Sequence, residues 1–163
     1  MSAGIAHDPP VLWEPPQSML TDSRMARYGR QLVDRCVIPA IDYHEMWRWS
    51  TTDLAGFWRS IFEFFDVVAE GDSAKVLDGD AMPGTQWFPD VRLNYAENML
   101  RGSDDEIVVT AISQTREPIT LTRGELRDQV ARAAAGLRRL GVAPGDRVAA
   151  YLPNIPDALI AML

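Results

Sequence analysis

The chain has 163 residues, 47% of them hydrophobic and 24% charged, with a net charge of −7. That apolar content is enough for an ordinary packed core and excludes general disorder. The acidic balance argues against nucleic acid or an anionic membrane as a partner, because both select basic surfaces.

The charge is uneven. Residues 60–106 hold eleven acids and three bases, whereas residues 107–163 hold seven arginines and five acids. Solvated acidic loops are the simplest source of that run. Cys36 is the single cysteine, so no internal disulfide and no cysteine-rich zinc site can form. The first ten residues carry no basic segment followed by an apolar one, and no apolar run reaches membrane-spanning length. The expected compartment is the reducing cytosol.

In chain order, residues 1–18 contain Pro9, Pro10, Pro15 and Pro16 and read as an extended arm, with Trp13 as an anchor. Thr21 or Asp22 is expected to cap a first helix to about Arg35, with Met25, Tyr28 and Leu32 on one face and Pro39 beyond its end. Ser50 with Asp53 predicts a second helix. On it Leu54, Phe57, Trp58, Ile61, Phe62 and Phe65 recur at three- and four-residue steps, a wide aromatic stripe suited to core packing. Residues 66–86 read as strand fragments and loops punctuated by Gly71, Gly79, Pro83 and Gly84. Asn94 and Glu97 then open a short helix.

A polar, flexible boundary is expected at residues 101–106. Two strands follow, Ile107–Gln114 and Ile119–Thr122, joined through residues 115–118. Thr122 and Glu125 form a capping box. Behind it Leu126, Val130, Ala133, Leu137 and Leu140 make a helical stripe that Gly141, Val142 and Pro144 close. Arg147–Leu152 predicts a short buried strand. Asn154 with Asp157 is expected to cap a last helix, Ala158–Leu163, that meets no closing Gly, base or Pro. The chain is therefore expected to be the N-terminal piece of a longer protein.

Chemistry-bearing patterns are sparse. Phosphate-cradling loops need clustered Gly, Ser or Thr, usually with a lysine. The one lysine, Lys75, has no such loop around it, and Gly79–Gly84 has the wrong spacing and no base. His7 and His44 are too few for a metal cluster. His44 beside Glu45 is no acid–base pair, because sequence neighbours on a helix point apart. Cys36 lacks a nearby histidine and is expected to be a buried, inert thiol. No residue is assigned as catalytic, cofactor-binding or metal-ligating.

The segment Leu140-Gly-Val-Ala-Pro-Gly-Asp-Arg-Val-Ala-Ala-Tyr-Leu-Pro-Asn154, with Ile119-Thr-Leu-Thr-Arg-Gly-Glu-Leu126 before it, resembles the first recognisable block of the adenylate-forming superfamily. That group includes acyl-CoA synthetases, luciferases and peptide-synthetase adenylation domains. Trp87-Phe-Pro, Leu93-Asn-Tyr-Ala-Glu-Asn98 and the pair Phe57-Trp58 look like the N-terminal segment of the acetyl-CoA and acetoacetyl-CoA synthetase branch. Leu12-Trp13-Glu-Pro15, Ala96-Glu-Asn-Met-Leu100 and Tyr151-Leu-Pro-Asn-Ile-Pro156 favour the acetoacetate side of that branch.

The resemblance implies an α/β fold, with a mostly helical N-terminal segment before the truncated start of a large adenylate-forming domain. It divides the chain into a Pro-rich arm and first helix (1–38), an acetyl-CoA synthetase-type segment (39–101) and the beginning of the AMP-binding domain (102–163). It implies a two-step ligase in which a carboxylate attacks ATP to give an acyl-adenylate and pyrophosphate, and the CoA thiol then displaces AMP. ATP, Mg2+, CoA and a small acid are the implied cofactors and substrates. The remainder of the large domain is the implied partner, and it carries the catalytic motifs, so this piece alone is expected to be inactive. A ligase for acetate, propionate or another short acid stays open, as does a non-catalytic interaction module.

Overall fold

A computed structural model describes residues 10–163. Its first elements are α1 (Gln17–Asp22), α2 (Arg24–Asp34), α3 (Tyr43–Thr52), α4 (Leu54–Phe64), β1 (Glu70–Gly71), β2 (Leu77–Asp78), β3 (Gln86–Trp87) and β4 (Val91–Arg92). Then come α5 (Tyr95–Met99), β5 (Ile107–Ala111), β6 (Ile119–Thr122), α6 (Arg123–Arg139) and α7 (Pro156–Met162). The strands form three separate antiparallel pairs, β1 with β4, β2 with β3 and β5 with β6. The chain divides into two compact units: Met1–Asp66 with Ala74–Pro89, and Val67–Ser73 with Asp90–Leu163.

The first unit is a small helical body with the β2–β3 hairpin. Tyr28 and Leu32 of α2 and Ile38 form its buried centre, and Met46, Trp49, Phe57, Ile61 and Phe64 pack around it. The helix that begins at Arg24 is capped by Ser23, whose hydroxyl accepts from the Ala26 amide at 3.1 Å. The expectation of Thr21 or Asp22 as the cap is corrected. Both lie in the short helix α1, and Thr21 bonds back to the Gln17 carbonyl instead. Tyr28 and Leu32 face the core as expected, but Met25 is exposed.

Helix α3 was not foreseen. Asp42 caps it through the Glu45 amide, and Ser50 sits inside it. Asp53 is therefore itself the cap of α4, accepting from the Gly56 amide at 2.9 Å, and is not the third residue of a box begun by Ser50. The α4 stripe splits in two. Phe57 and Ile61 pack on the core, while Leu54, Trp58 and Phe65 remain exposed. Trp58 instead meets Trp87 edge to face, with ring centroids 5.5 Å apart, and Phe62 stacks on Phe88 at 5.0 Å.

The second unit is built on α6. Thr122 and Glu125 form the expected reciprocal capping box, and Leu126, Val130 and Ile160 make the buried centre. Val108, Val109 and Leu121 of the β5–β6 hairpin cover one side of it. In that hairpin Thr110 stands opposite Thr120 and Ala111 opposite Ile119. Strand β5 ends at Ala111, short of the expected Gln114.

At the other end of α6, Gly141 takes φ +91°. Its amide bonds to the Arg138 carbonyl at 3.0 Å and the Val142 amide to Leu137 at 3.1 Å. This paired closure needs a left-handed residue at Gly141.

Two expectations near the C-terminus are overturned. Residues 147–152 form no strand, and Val148, Tyr151 and Leu152 are exposed. A strand exists only where a neighbour supplies its hydrogen bonds, and β5–β6 pair with each other. Helix α7 starts at Pro156 with Ile155 as its cap residue, and no side chain caps it. Proline at the first helical position lacks only an amide that would be unbonded anyway, so it fixes the start two residues beyond Asn154.

Candidate functional site

The few residues with reactive side chains are not brought together. Lys75 lies before β2 and pairs with Asp78 at 3.0 Å, both half exposed. His44, on α3, sits edge-on to the Tyr43 ring at 5.3 Å. Glu45 is not turned to His44: its carboxylate accepts from Arg48 at 2.6 Å. Cys36 is exposed, which corrects the expectation of a buried thiol. It follows α2 in a left-handed turn at φ +56°. His7 and Pro9 lie outside the described residues. Among the described residues no group of three or more His, Cys, Asp or Glu is placed to hold a metal ion, and no helix is long and apolar enough to cross a membrane.

Two features were missed by the sequence reading. The first is a buried hydrogen bond of 2.5 Å between Tyr28 and Ser60, which joins α2 to α4. Ser60 already donates to the Phe57 carbonyl at 2.7 Å, so the Tyr28 hydroxyl is the donor to Ser60. Burial pushes the Tyr28 phenol above its usual value, and the hydrogen bond to Ser60 pulls the other way. Tyr28 and Ser60 are 32 positions apart, so no local pattern announces them.

The second is a pair of arginines on α6. Arg123 reaches Glu106 at 2.5 Å and Arg127 reaches Asp104 at 2.5 Å. The signal was available: acids at 104–106 precede two bases one helical turn apart.

An open groove of about 590 Å³ lies in the second unit. Ala133, Gly136 and Leu137 of α6, Val148 of the following segment, and Ala158 and Ala161 of α7 line it. It carries no charged side chain. Such a surface can bury apolar groups, but it cannot stabilise charge on a phosphate in transfer, which needs aimed donors or cations.

Known proteins account for this arrangement. Residues 43–99 match the family model described as acetyl-coenzyme A synthetase N-terminus, and residues 96–163 match the AMP-binding enzyme model. The solved structure of acetoacetyl-CoA synthetase from Streptomyces lividans superposes with a TM-score of 0.84 at 43% identity, over 94% of this chain and 24% of that one. In sequence and fold this chain is similar to part of the acetoacetyl-CoA synthetases. The acetoacetyl-coenzyme A synthetase of Rhizobium meliloti (strain 1021) is 35% identical over 154 residues, which are 93% of this chain. That of Gallus gallus is 36% identical over 157 residues, which are 94% of this chain. The chain spans 23% of the length of both relatives. The α/β reading holds, with α6 and the β5–β6 hairpin as the start of an AMP-binding domain.

Proposed function

We propose that the chain is the N-terminal part of an acid–CoA ligase that activates acetoacetate with ATP. In this reading the carboxylate attacks the α-phosphate to give an acyl-adenylate and pyrophosphate, and the CoA thiol then displaces AMP to give acetoacetyl-CoA. The observation that carries it is the match to the Streptomyces lividans acetoacetyl-CoA synthetase across 94% of the chain, in both sequence and fold. Mg2+ would accompany ATP, as anionic phosphates require a counter-charge in transfer. The cytosol is the compartment proposed.

No residue here is assigned to catalysis or to cofactor or metal binding. Residues 1–38 serve as arm and first helix, 39–101 as the acetyl-CoA synthetase-type segment, and 102–163 as the opening of the AMP-binding domain. Their work is structural, and the groove beside α6 is a face for the remainder of that domain to cover. The match of residues 43–99 to an acetyl-coenzyme A synthetase model keeps acetate and propionate as the second reading.

The test is ATP–pyrophosphate exchange. A protein extended to the length of the relatives should exchange with acetoacetate in preference to acetate or propionate, and the 163-residue chain should match a no-protein control. Preference for acetate would replace acetoacetate as the substrate. Exchange by the short chain, abolished by one of its own substitutions, would overturn the structural role.

A further inference from the structure

We infer that Asn98, Arg123 and Arg127 form a polar strap that builds residues 67–73 and 90–106 into the body of α6, so that the mechanical border of the AMP-binding body lies near residues 66 and 89 and not at the polar run 101–106. The composition of 101–106 reads as a flexible linker, and the match to the N-terminal segment model ends at residue 99. The hydrogen bonds say otherwise.

At the C-terminal end of α5 the last carbonyls have no helical partner. Arg123 Nη1 donates to the Met99 carbonyl at 3.2 Å, and Arg127 Nη2 donates to the Leu100 carbonyl at 2.8 Å. The same guanidiniums hold Glu106 and Asp104, so each arginine bridges a backbone carbonyl and a carboxylate. Two backbone bonds reinforce them: the Arg123 amide to the Glu106 carbonyl at 2.8 Å and the Gly124 amide to Asp104 at 3.0 Å. Leu100 adds an apolar anchor, packing against the Leu126, Val130 and Ile160 centre.

The surface ion pairs alone would fasten little. The charged donors on backbone carbonyls, one from an arginine side chain that is only 14% exposed, make the difference. Gly102 takes part by lacking a side chain: at φ +128° a Cβ there would lie 2.7 Å from Arg123 Nε.

The strap continues upstream through Asn98. Its Oδ1 accepts from the Val68 amide at 2.9 Å, and its Nδ2 donates to the Val68 carbonyl at 2.9 Å. One side chain thus supplies both bonds that a neighbouring strand would give. Two residues on from Val68, β1 pairs with β4, Glu70 opposite Arg92 and Gly71 opposite Val91. Residues 67–73 and 90–99 are therefore tied to α6 through an unbroken series of bonds, although their sequence belongs to the N-terminal segment.

Hydrogen exchange on the whole 163-residue chain tests this. In the native protein, 67–73, 90–106 and the first turns of α6 should exchange as one group, at a rate distinct from α2–α4. Arg127→Met should raise exchange across 90–106, and Asn98→Ala across 67–73, by about tenfold each, with α2–α4 unchanged. If 67–73 and 90–99 follow α4 in rate, or ignore both substitutions, the strap is refuted. Should either variant unfold, trypsin on the native chain decides. Cleavage after Arg116 in the β5–β6 loop before cleavage after Arg101 supports the strap, and the reverse order overturns it.

Discussion

The two units are held by different side chains. The first is aromatic, with ring contacts that run from Tyr28–Phe64 to Trp58–Trp87. The second is aliphatic, with Leu126, Val130 and Ile160 at its centre, and its two tyrosines, Tyr95 and Tyr151, are exposed. Rings supply large buried area from few positions, so the first unit closes a core around Leu32 with short helices. Aliphatic stripes need partners on both sides, and α6 is covered on one side by β5–β6 while Leu140 stays exposed on the other. What separates the two is how far each covers its own apolar faces, because α2–α4 in the first and α5 and α6 in the second alike start with Ser, Asp, Asn or Thr caps.

The sharpest way to break that comparison is at Leu32, the most buried large side chain, 1% exposed. Leu32→Ala should destabilise the first unit by about 3 kcal/mol, since it removes buried methyl groups and leaves a cavity. All five tryptophans lie in that unit, so their fluorescence reports on it alone. The tryptophan transition in urea should move to much lower denaturant, while helix content contributed by α6 melts as before. A shift below about 1 kcal/mol would mean that the core around Leu32 collapses to fill the gap.

Next in size is Tyr28. Tyr28→Phe should cost about 1 kcal/mol at neutral pH, the usual net value of one buried hydrogen bond. Its pH dependence sharpens the test. The folded phenol titrates above the usual value of about 10, so the folded state holds the proton longer than the unfolded state does. The contribution is complete below the unfolded value and is lost as pH rises through the folded one. The native first unit should therefore weaken above about pH 10 more steeply than Tyr28→Phe does, read again by tryptophan fluorescence. Parallel alkaline limbs would place the sensitivity elsewhere.

Local grammar was legible in the sequence and tertiary partnership was not. The Thr122–Glu125 box, the Asn94 cap and the Gly141 closure each rest on neighbours within five residues, and all three stand. Where two local signals competed, the reading failed. Asp53 was read as partner to Ser50, although it caps its own helix, and Asn154 lost the start of α7 to Pro156. Burial along the aromatic stripe also misled, because periodicity gives a face but not its cover. Trp87 and Trp58 are 46% and 41% exposed and lean on each other. For the candidate site, the sequence already showed that clustered phosphate-binding residues were missing. Only the ion-pair half of the arginine strap was legible, since its other acceptors are backbone carbonyls, which no side-chain pattern encodes.

The smallest expected effect reads the same turn in both units. Helix α2 ends as α6 does: the Cys36 amide bonds to the Val33 carbonyl at 2.9 Å and the Val37 amide to Leu32 at 2.9 Å. In the second unit the left-handed position is Gly141; in the first it is Cys36 at φ +56°. A side chain in that region costs about 1–2 kcal/mol, and glycine gives back about 0.5–1 kcal/mol through its freer unfolded chain. Cys36→Gly should therefore stabilise the first unit by about 0.5 kcal/mol, and Gly141→Ala should destabilise the second by about 1 kcal/mol. Denaturation followed by tryptophan fluorescence reads the first substitution, and helix content reads the second. The thiol is exposed, so the backbone conformation is what is at stake. A loss of stability in Cys36→Gly would show that the cysteine side chain contributes to the unit directly, and the likeness between the two helix ends would then stop at the hydrogen bonds.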